Sequence, residues 1–222
     1  MEAFIILLIV GIGVYCFLKY QSGKPSNIQT KQISIEYRNL IDELLDERCV
    51  ILDTETTGLN NTAEIIEISL IDANGNVLLN TLVKPKRKMR SDNKAVSIHG
   101  ITNEMLKNAP KWEDIHNTFC NLISGKRVVI YNAKYDVRLL EQTANKYGLT
   151  IPELNPECAM MIYGAWEGTK NVYDSGYKWH KLEDAARKLG VNVQGKQHRA
   201  LTDCLMTLGV LKKLREFQPK PR

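Results

Sequence analysis

Three short apolar runs set the limits on what this chain can fold into. Cys49–Asp53 is followed at short range by Ile65–Asp72 and Val77–Val83. The last two are joined by Ala73-Asn74-Gly75-Asn76, and the Asn-Gly pair favours the positive φ angles of a tight hairpin turn. These runs are therefore expected to form strands, the last two antiparallel. Helical spacing then takes over, with Ile115, Phe119, Leu122 and Ile123 on one stripe of Trp112–Ser124. A fourth strand is expected at Arg127–Tyr131, and helices over 134–147, 179–189 and 199–216. Before the first strand, Ser34 can cap a helix running to Glu47, with Leu40, Ile41, Leu44 and Leu45 on its apolar side. Strands interleaved with helices, and a hairpin at one end, specify an α/β fold with a mixed sheet.

The length of 222 residues allows one ordinary domain with additions. A net charge of +5 suits a phosphate-bearing partner without establishing one. The five cysteines, Cys16, Cys49, Cys120, Cys158 and Cys204, are odd in number and show no C-x-x-C spacing. They read as reduced thiols of a cytosolic environment, and thiolate and imidazole ligands are not clustered for zinc. The N-terminus departs from this pattern. Ala3–Leu18 is almost wholly apolar, and its extension to Met1 and Tyr20 brings a helix near the roughly 30 Å of a bilayer core. No basic segment or A-x-A-like site marks it as a cleaved signal peptide. Lys19, Lys24 and Lys31 all follow it, which places the rest of the chain on the cytoplasmic side. The expectation is a single-pass, membrane-anchored protein: an anchor helix at 1–20, a linker at 21–33, the folded domain at 34–217 and a tail at 218–222. The alternative is a helix buried in the globular core or in a partner.

The acid that ends the first strand belongs to Asp53-Thr54-Glu55-Thr56-Thr57-Gly58-Leu59, and two later strings complete it. These are Asn132-Ala133-Lys134-Tyr135-Asp136 and His198-Arg199-Ala200-Leu201-Thr202-Asp203. Together they hold four carboxylates and one imidazole, a set suited to two divalent metal ions and one activated water. Asp53 and Glu55 are two apart on a strand and point to one face. Gly58 permits a tight turn beside them. Asn132 stands where its side chain can cap the next helix, leaving Asp136 in the first turn. On one continuous helix His198 and Asp203 would point about 140 degrees apart. His198 is therefore expected on the loop before the helix and Asp203 within it, with the small Ala200 letting that helix lie close to the sheet. An all-oxygen ligand set selects Mg2+ or Mn2+. Asp53, Glu55 and Asp203 would hold the first of two ions, with Asp53 bridging to the second. A histidine ordinarily titrates near ~6.5, so His198 suits a general base and not a ligand of a hard ion.

In order and flanking residues the three strings resemble the exonuclease motifs of the DEDDh family of 3'–5' exonucleases. This is the superfamily of ribonuclease T and of the epsilon-type proofreading subunits of DNA polymerase III. Thr57, Gly58, Ala133 and Ala200 also fit, as does His99-Gly100-Ile101-Thr102, and the resemblance runs from about 48 to 215. It implies a ribonuclease H-like fold and metal-dependent removal of nucleoside 5'-monophosphates from 3' ends of single-stranded DNA or RNA. It implies Asp53, Glu55, Asp136 and Asp203 as metal residues, Asp136 near the second ion, and His198 as the base that completes the catalytic set. Substrate contacts are implied at Thr56, whose backbone meets the 3' hydroxyl, and at Leu59, His99 and Asn132. DTETTGL together with IHGIT leans towards the DNA-proofreading branch. A non-catalytic nucleic-acid-binding or docking subunit on the same fold is the alternative, although degenerate copies lose metal ligands and here all five positions are filled. No motif identifies a polymerase or other machinery as partner.

Several residues keep two readings. Leu59 is either a wedge against the terminal base or part of the core, and His99 either lines the nucleotide pocket or is a satisfied structural histidine. The basic run Lys84–Arg90 either guides a phosphate backbone or is a solvated loop. Trp166, Tyr173, Tyr177 and Trp179 either stack on bases or pack inside. His116 and His180 carry no motif and read as structural.

Overall fold

The computed structural model describes residues 27–90, 92–154, 156–169, 171 and 176–216. Among these, five strands form one sheet: β1 (Cys49–Thr56), β2 (Ile65–Asp72), β3 (Val77–Leu82), β4 (Arg127–Ile130) and β5 (Glu157–Cys158), in the order β3-β2-β1-β4-β5. The β1–β2 and β2–β3 pairs are antiparallel, while β4 runs parallel to β1 and β5 parallel to β4. The β2–β3 hairpin turns at Gly75 (φ 93°), with Asp72 accepting from the backbone N–H groups of Asn74 and Asn76 at 2.8 Å each. The helices are α1 (Asn27–Leu44), α2 (Lys94–His99), α3 (Trp112–Ile123), α4 (Ala133–Lys146), α5 (Ala159–Glu167), α6 (Leu182–Leu189) and α7 (Ala200–Glu216).

Alternation along the strands divides the core into two layers. Val50, Leu52, Ile68, Leu70, Val128 and Ile130 face Trp112 and Phe119 of α3 and Leu139 and Leu140 of α4. Ile51, Ile71 and Val129 face the opposite layer, built from α1, α5, α6 and α7. The interior strand β2 is buried on both faces up to Ile71, as expected of a strand covered by helices on each side. This is the mixed-sheet α/β architecture of the ribonuclease H-like exonucleases, with the antiparallel hairpin at one end.

The expected membrane anchor requires correction. Among the described residues no helix is long and apolar enough to cross a membrane. The longest, α1, carries Glu36, Arg38, Asp42 and Glu43 along its described face, charges that a bilayer core does not accept. Residues 1–20, to which the span was assigned, lie outside the described residues, and neither a transmembrane helix nor a cytoplasm-facing single-pass arrangement is carried further.

Three smaller features differ from expectation. Helix α1 is already formed at Asn27, inside the segment read as a linker, where nothing after the breakers Gly23 and Pro25 stops a helix. Helix α5, AMMIYGAWE, is apolar without a clear one-sided stripe and so carried no periodic signal. The helix expected from 179 begins at Leu182.

Candidate functional site

Parallel β1 and β4 end at the same edge of the sheet, so the residues that follow each strand emerge side by side. After β4 the chain turns at Asn132, which adopts the left-handed conformation (φ 66°, ψ 48°) and makes no side-chain cap hydrogen bond. The expected side-chain cap is thus replaced by a backbone turn, a conformation that asparagine tolerates better than most residues. The Asn132 side chain is left exposed and Asp136 is turned inward, 4% exposed.

Asp53 and Glu55 share a strand face with Ser69 and Glu67 of β2, their partners in the antiparallel register. Helix α7 lies against this face. Ala200 and Cys204 are fully buried there, and the Cys204 thiol donates to the backbone carbonyls of Ile51 and Ser69 at 3.6 and 3.4 Å. Small side chains at 200 and 204 permit this close approach, and Asp203 comes to the strand end. His198 stands just before α7 in a left-handed conformation (φ 58°), on the loop as its spacing from Asp203 required. Among the described residues, Glu55, His198 and Asp203 are the group whose ligand atoms all lie within 4.8 Å of one another. Asp136 reaches the same strand end from the other layer, where the Thr54 hydroxyl donates to its Oδ1 at 2.6 Å.

Burial pushes all four carboxyl groups up, and repulsion from their neighbours adds to it at Asp53 and Glu55. Asp53 is raised well above the carboxylate range by burial and then by Asp136, Asp203 and Glu55. Burial, Asp203 and Glu67 lift Glu55 to about 8. Burial lifts Asp136 to about 7 against the hydrogen bond from Thr54, and Asp203 to about 6 against the attraction of His198. Crowded, largely buried oxygen donors fit hard divalent metal ions.

The loop after β1 is held from three sides. The Tyr135 and Thr56 hydroxyls lie 2.8 Å apart and 3.1 and 2.9 Å from the Gly58 carbonyl, so two protons are shared among three contacts. Asn93 donates to the carbonyl of Thr57 at 2.8 Å. From α4, Arg138 donates to the Leu59 carbonyl, Gln142 to those of Asn60 and Ala63, and Lys146 to that of Thr62. Leu59 itself is 78% exposed, which excludes its core reading. His99 is buried, its Nδ1 accepting from the backbone N–H of Ile101 at 2.9 Å. Burial holds its pKa low.

The remaining sequence features are sorted by burial. Met89 packs inside with Ile66, Ile101 and Leu106, and Lys84 and Lys86 bond to backbone carbonyls, so the basic run is docked and only Arg87, Lys88 and Arg90 extend from it. Trp166 packs on the core against Tyr163, whereas Trp179 is 65% exposed. Tyr173 lies outside the described residues. His116 is structural, its Nε2 2.8 Å from the Thr150 carbonyl. Sequence reasoning passed over Glu67. Its signal was a single acid inside the apolar run Ile65-Ile66-Glu67-Ile68, where a charge persists only if it is paired.

A mixed five-stranded sheet with clustered acids and a histidine at the ends of its parallel strands defines a nuclease of the ribonuclease H-like class. The ribonuclease T-type exonuclease family matches residues 50–211. The chain is 50% identical over 173 residues to the uncharacterized exonuclease CP81 of Escherichia phage 186, covering 75% of this chain and 88% of that protein. It is 30% identical to the DNA polymerase III subunit epsilon of Buchnera aphidicola over 64% of this chain and 67% of that subunit. Among solved structures it resembles Exonuclease X in complex with 5' overhanging duplex DNA, at 27% identity and TM-score 0.53, covering 78% of this chain and 95% of that one. The chain belongs to the DEDDh-type 3'–5' exonuclease family and is an exonuclease. Members of this family use divalent metal ions.

Proposed function

We propose that this enzyme removes nucleotides one at a time from the 3' ends of single-stranded nucleic acid, DNA in preference to RNA, and releases nucleoside 5'-monophosphates. The observation that carries the reading is the meeting of Glu55, His198 and Asp203, with ligand atoms within 4.8 Å, beside Asp53 and the buried Asp136. Asp53, Glu55 and Asp203 would hold one divalent ion, Mg2+ or Mn2+, and Asp53 with Asp136 a second. Bound there, the ions supply a water of lowered pKa and stabilise the charge that develops at phosphorus.

The protein's own part is orientation and proton transfer. His198, its imidazole among the ligand atoms of Glu55 and Asp203, takes the proton of the attacking water. A hard ion prefers oxygen to imidazole nitrogen, which supports His198 as base although it stands among the ligand atoms. In this reading the backbone at Thr56 meets the 3' hydroxyl, Leu59 presses on the terminal base, and Asn132 and His99 line the nucleotide site. The preference for DNA is supported by the likeness to polymerase III epsilon subunits and to a nuclease solved with DNA.

The test uses the full chain with Mg2+ or Mn2+ and matched 5'-labelled single-stranded DNA and RNA oligomers. A ladder shortening from the 3' end, faster on DNA and absent for Asp53→Asn, is the expected result. Faster shortening of RNA would reverse the substrate assignment, and undiminished activity of Asp53→Asn would remove the metal assignment.

A further inference from the structure

Glu67 lies in the middle of β2 between Ile66 and Ile68 and is 3% exposed. A carboxylate withdrawn from water into an apolar strand is tolerated only when it is paired and hydrogen-bonded. Its partners are the two residues that follow His198. Arg199 Nε donates to both carboxylate oxygens at 3.0 Å, and a terminal guanidinium nitrogen donates to Oε1 at 2.5 Å. The backbone N–H of Ala200 donates to Oε2 at 2.9 Å. That N–H opens α7 and has no partner within the helix, so β2 caps a helix from across the core.

His198 itself is in the left-handed region, which a residue with a side chain occupies only when its surroundings impose it. Downstream, the grip of Glu67 on Arg199 and Ala200 fixes the backbone that leaves His198. Upstream, Gly195 packs so tightly on α7 that an added Cβ would lie 2.5 Å from the Thr202 hydroxyl. The loop thus has both ends pinned, and the imidazole between them is held against Glu55 and Asp203. Glu67 is also the cross-strand partner of Glu55. Its oxygens, however, are engaged by Arg199 and Ala200, so it bears on Glu55 through its charge and not as a further ligand.

We infer that Glu67 is a positioning residue: through Arg199 and Ala200 it holds His198 in the turn that presents its imidazole to the reacting centre. This rests on the reading of His198 as the base. A carboxamide at 67 keeps the size and one acceptor but loses the second acceptor and the charge, so Arg199 and Ala200 can no longer both be held as tightly.

The experiment is a double-mutant cycle in the full chain, with Glu67→Gln, His198→Ala and the pair, measuring kcat, KM for a single-stranded oligomer and the Mn2+ concentration for half-maximal activity. Glu67→Gln is expected to lower kcat about 10- to 100-fold, the scale of misplacing a reacting group by roughly 1 Å. KM and the metal requirement should stay near wild type, and the loss should vanish in the His198→Ala background. The same loss in that background, or an effect confined to the metal requirement, or no loss at all, would overturn the inference. If His198→Ala left kcat unchanged, the reading of the base would fail first, so the two failures are distinguishable. Arg199→Lys, which keeps the charge but not the paired donors, should reproduce the kcat loss and decides the matter if Glu67→Gln does not fold.

Discussion

The Thr54 hydroxyl donates to Oδ1 of Asp136 at 2.6 Å, tying β1 to the first turn of α4 across the boundary between strand and helix layers. Thr54 alternates with Asp53 and Glu55 along β1, so it points into the layer from which Asp136 approaches. The strand thereby presents two acids on one face and fixes a third from the other. Replacing Thr54 by Val keeps the shape and removes the donor. The buried carboxyl of Asp136 then loses a hydrogen bond, at a cost of about 1–3 kcal/mol in chemical denaturation. The variant should also need more Mn2+ for half-maximal activity. Unchanged stability and metal requirement together would show that the bond does not hold Asp136.

The four crowded carboxyl groups make metal-free stability depend on pH. Their folded pKa values are all raised: Asp53 strongly, Glu55 to about 8, Asp136 to about 7 and Asp203 to about 6. In the unfolded chain such groups titrate near ~4. The folded state therefore holds protons that the unfolded state has released, and stability is full below pH ~4 and lost as pH rises through the folded values. With EDTA present, Tm should fall between pH 5 and pH 8 on this account, by about 5 °C or more. Mg2+ or Mn2+ should restore it at pH 8, because bound cations stabilise the folded state. A metal-free Tm that did not change across this range would mean that burial and crowding do not raise these acids.

His198→Ala should separate chemistry from binding. The ring stands beside Asp203 at the mouth of the site, and its loss removes a proton acceptor while leaving the carboxylates in place. The expected result is a kcat lower by about 100- to 10,000-fold with KM changed little. A large rise in KM with kcat preserved would make His198 a substrate contact.

Much of this site was legible in the sequence because its determinants are local. Asp53 and Glu55 are two apart at the end of an apolar strand, and the five-residue spacing of His198 and Asp203 forced the histidine off the helix, where the structure has it. What was not legible depends on contacts between distant segments. Glu67 bonds to Arg199 across 132 residues, and no spacing rule links them. Burial also divides residue types that look alike in sequence, leaving Leu59 exposed and His99 enclosed. Asn132 had the right residue type for a cap, but β4 delivers the chain in a left-handed turn that points the side chain away from the helix N–H groups. Helix α5 was unforeseen because it is apolar on most sides and shows no stripe.

The loop that carries Leu59 is held by one face of α4. Arg138, Gln142 and Lys146 recur every four residues and donate to carbonyls from Leu59 to Ala63. An i, i+4 row of long donors is the spacing that lets one helix face grip an extended segment. Leu59 is 78% exposed beyond this row, so it contributes little to the core, and Leu59→Ala should change stability by less than about 0.5 kcal/mol. If its side chain presses on the terminal base, the same change should raise KM for a single-stranded oligomer by several-fold, partial burial of a leucine being worth about 1 kcal/mol. Gln142→Ala should raise KM in the same direction by loosening the loop, and in combination with Leu59→Ala should add little. Additive effects of the two would mean that the α4 row acts on substrate independently of Leu59, and an unaltered KM in Leu59→Ala would leave the exposed leucine without a part in binding.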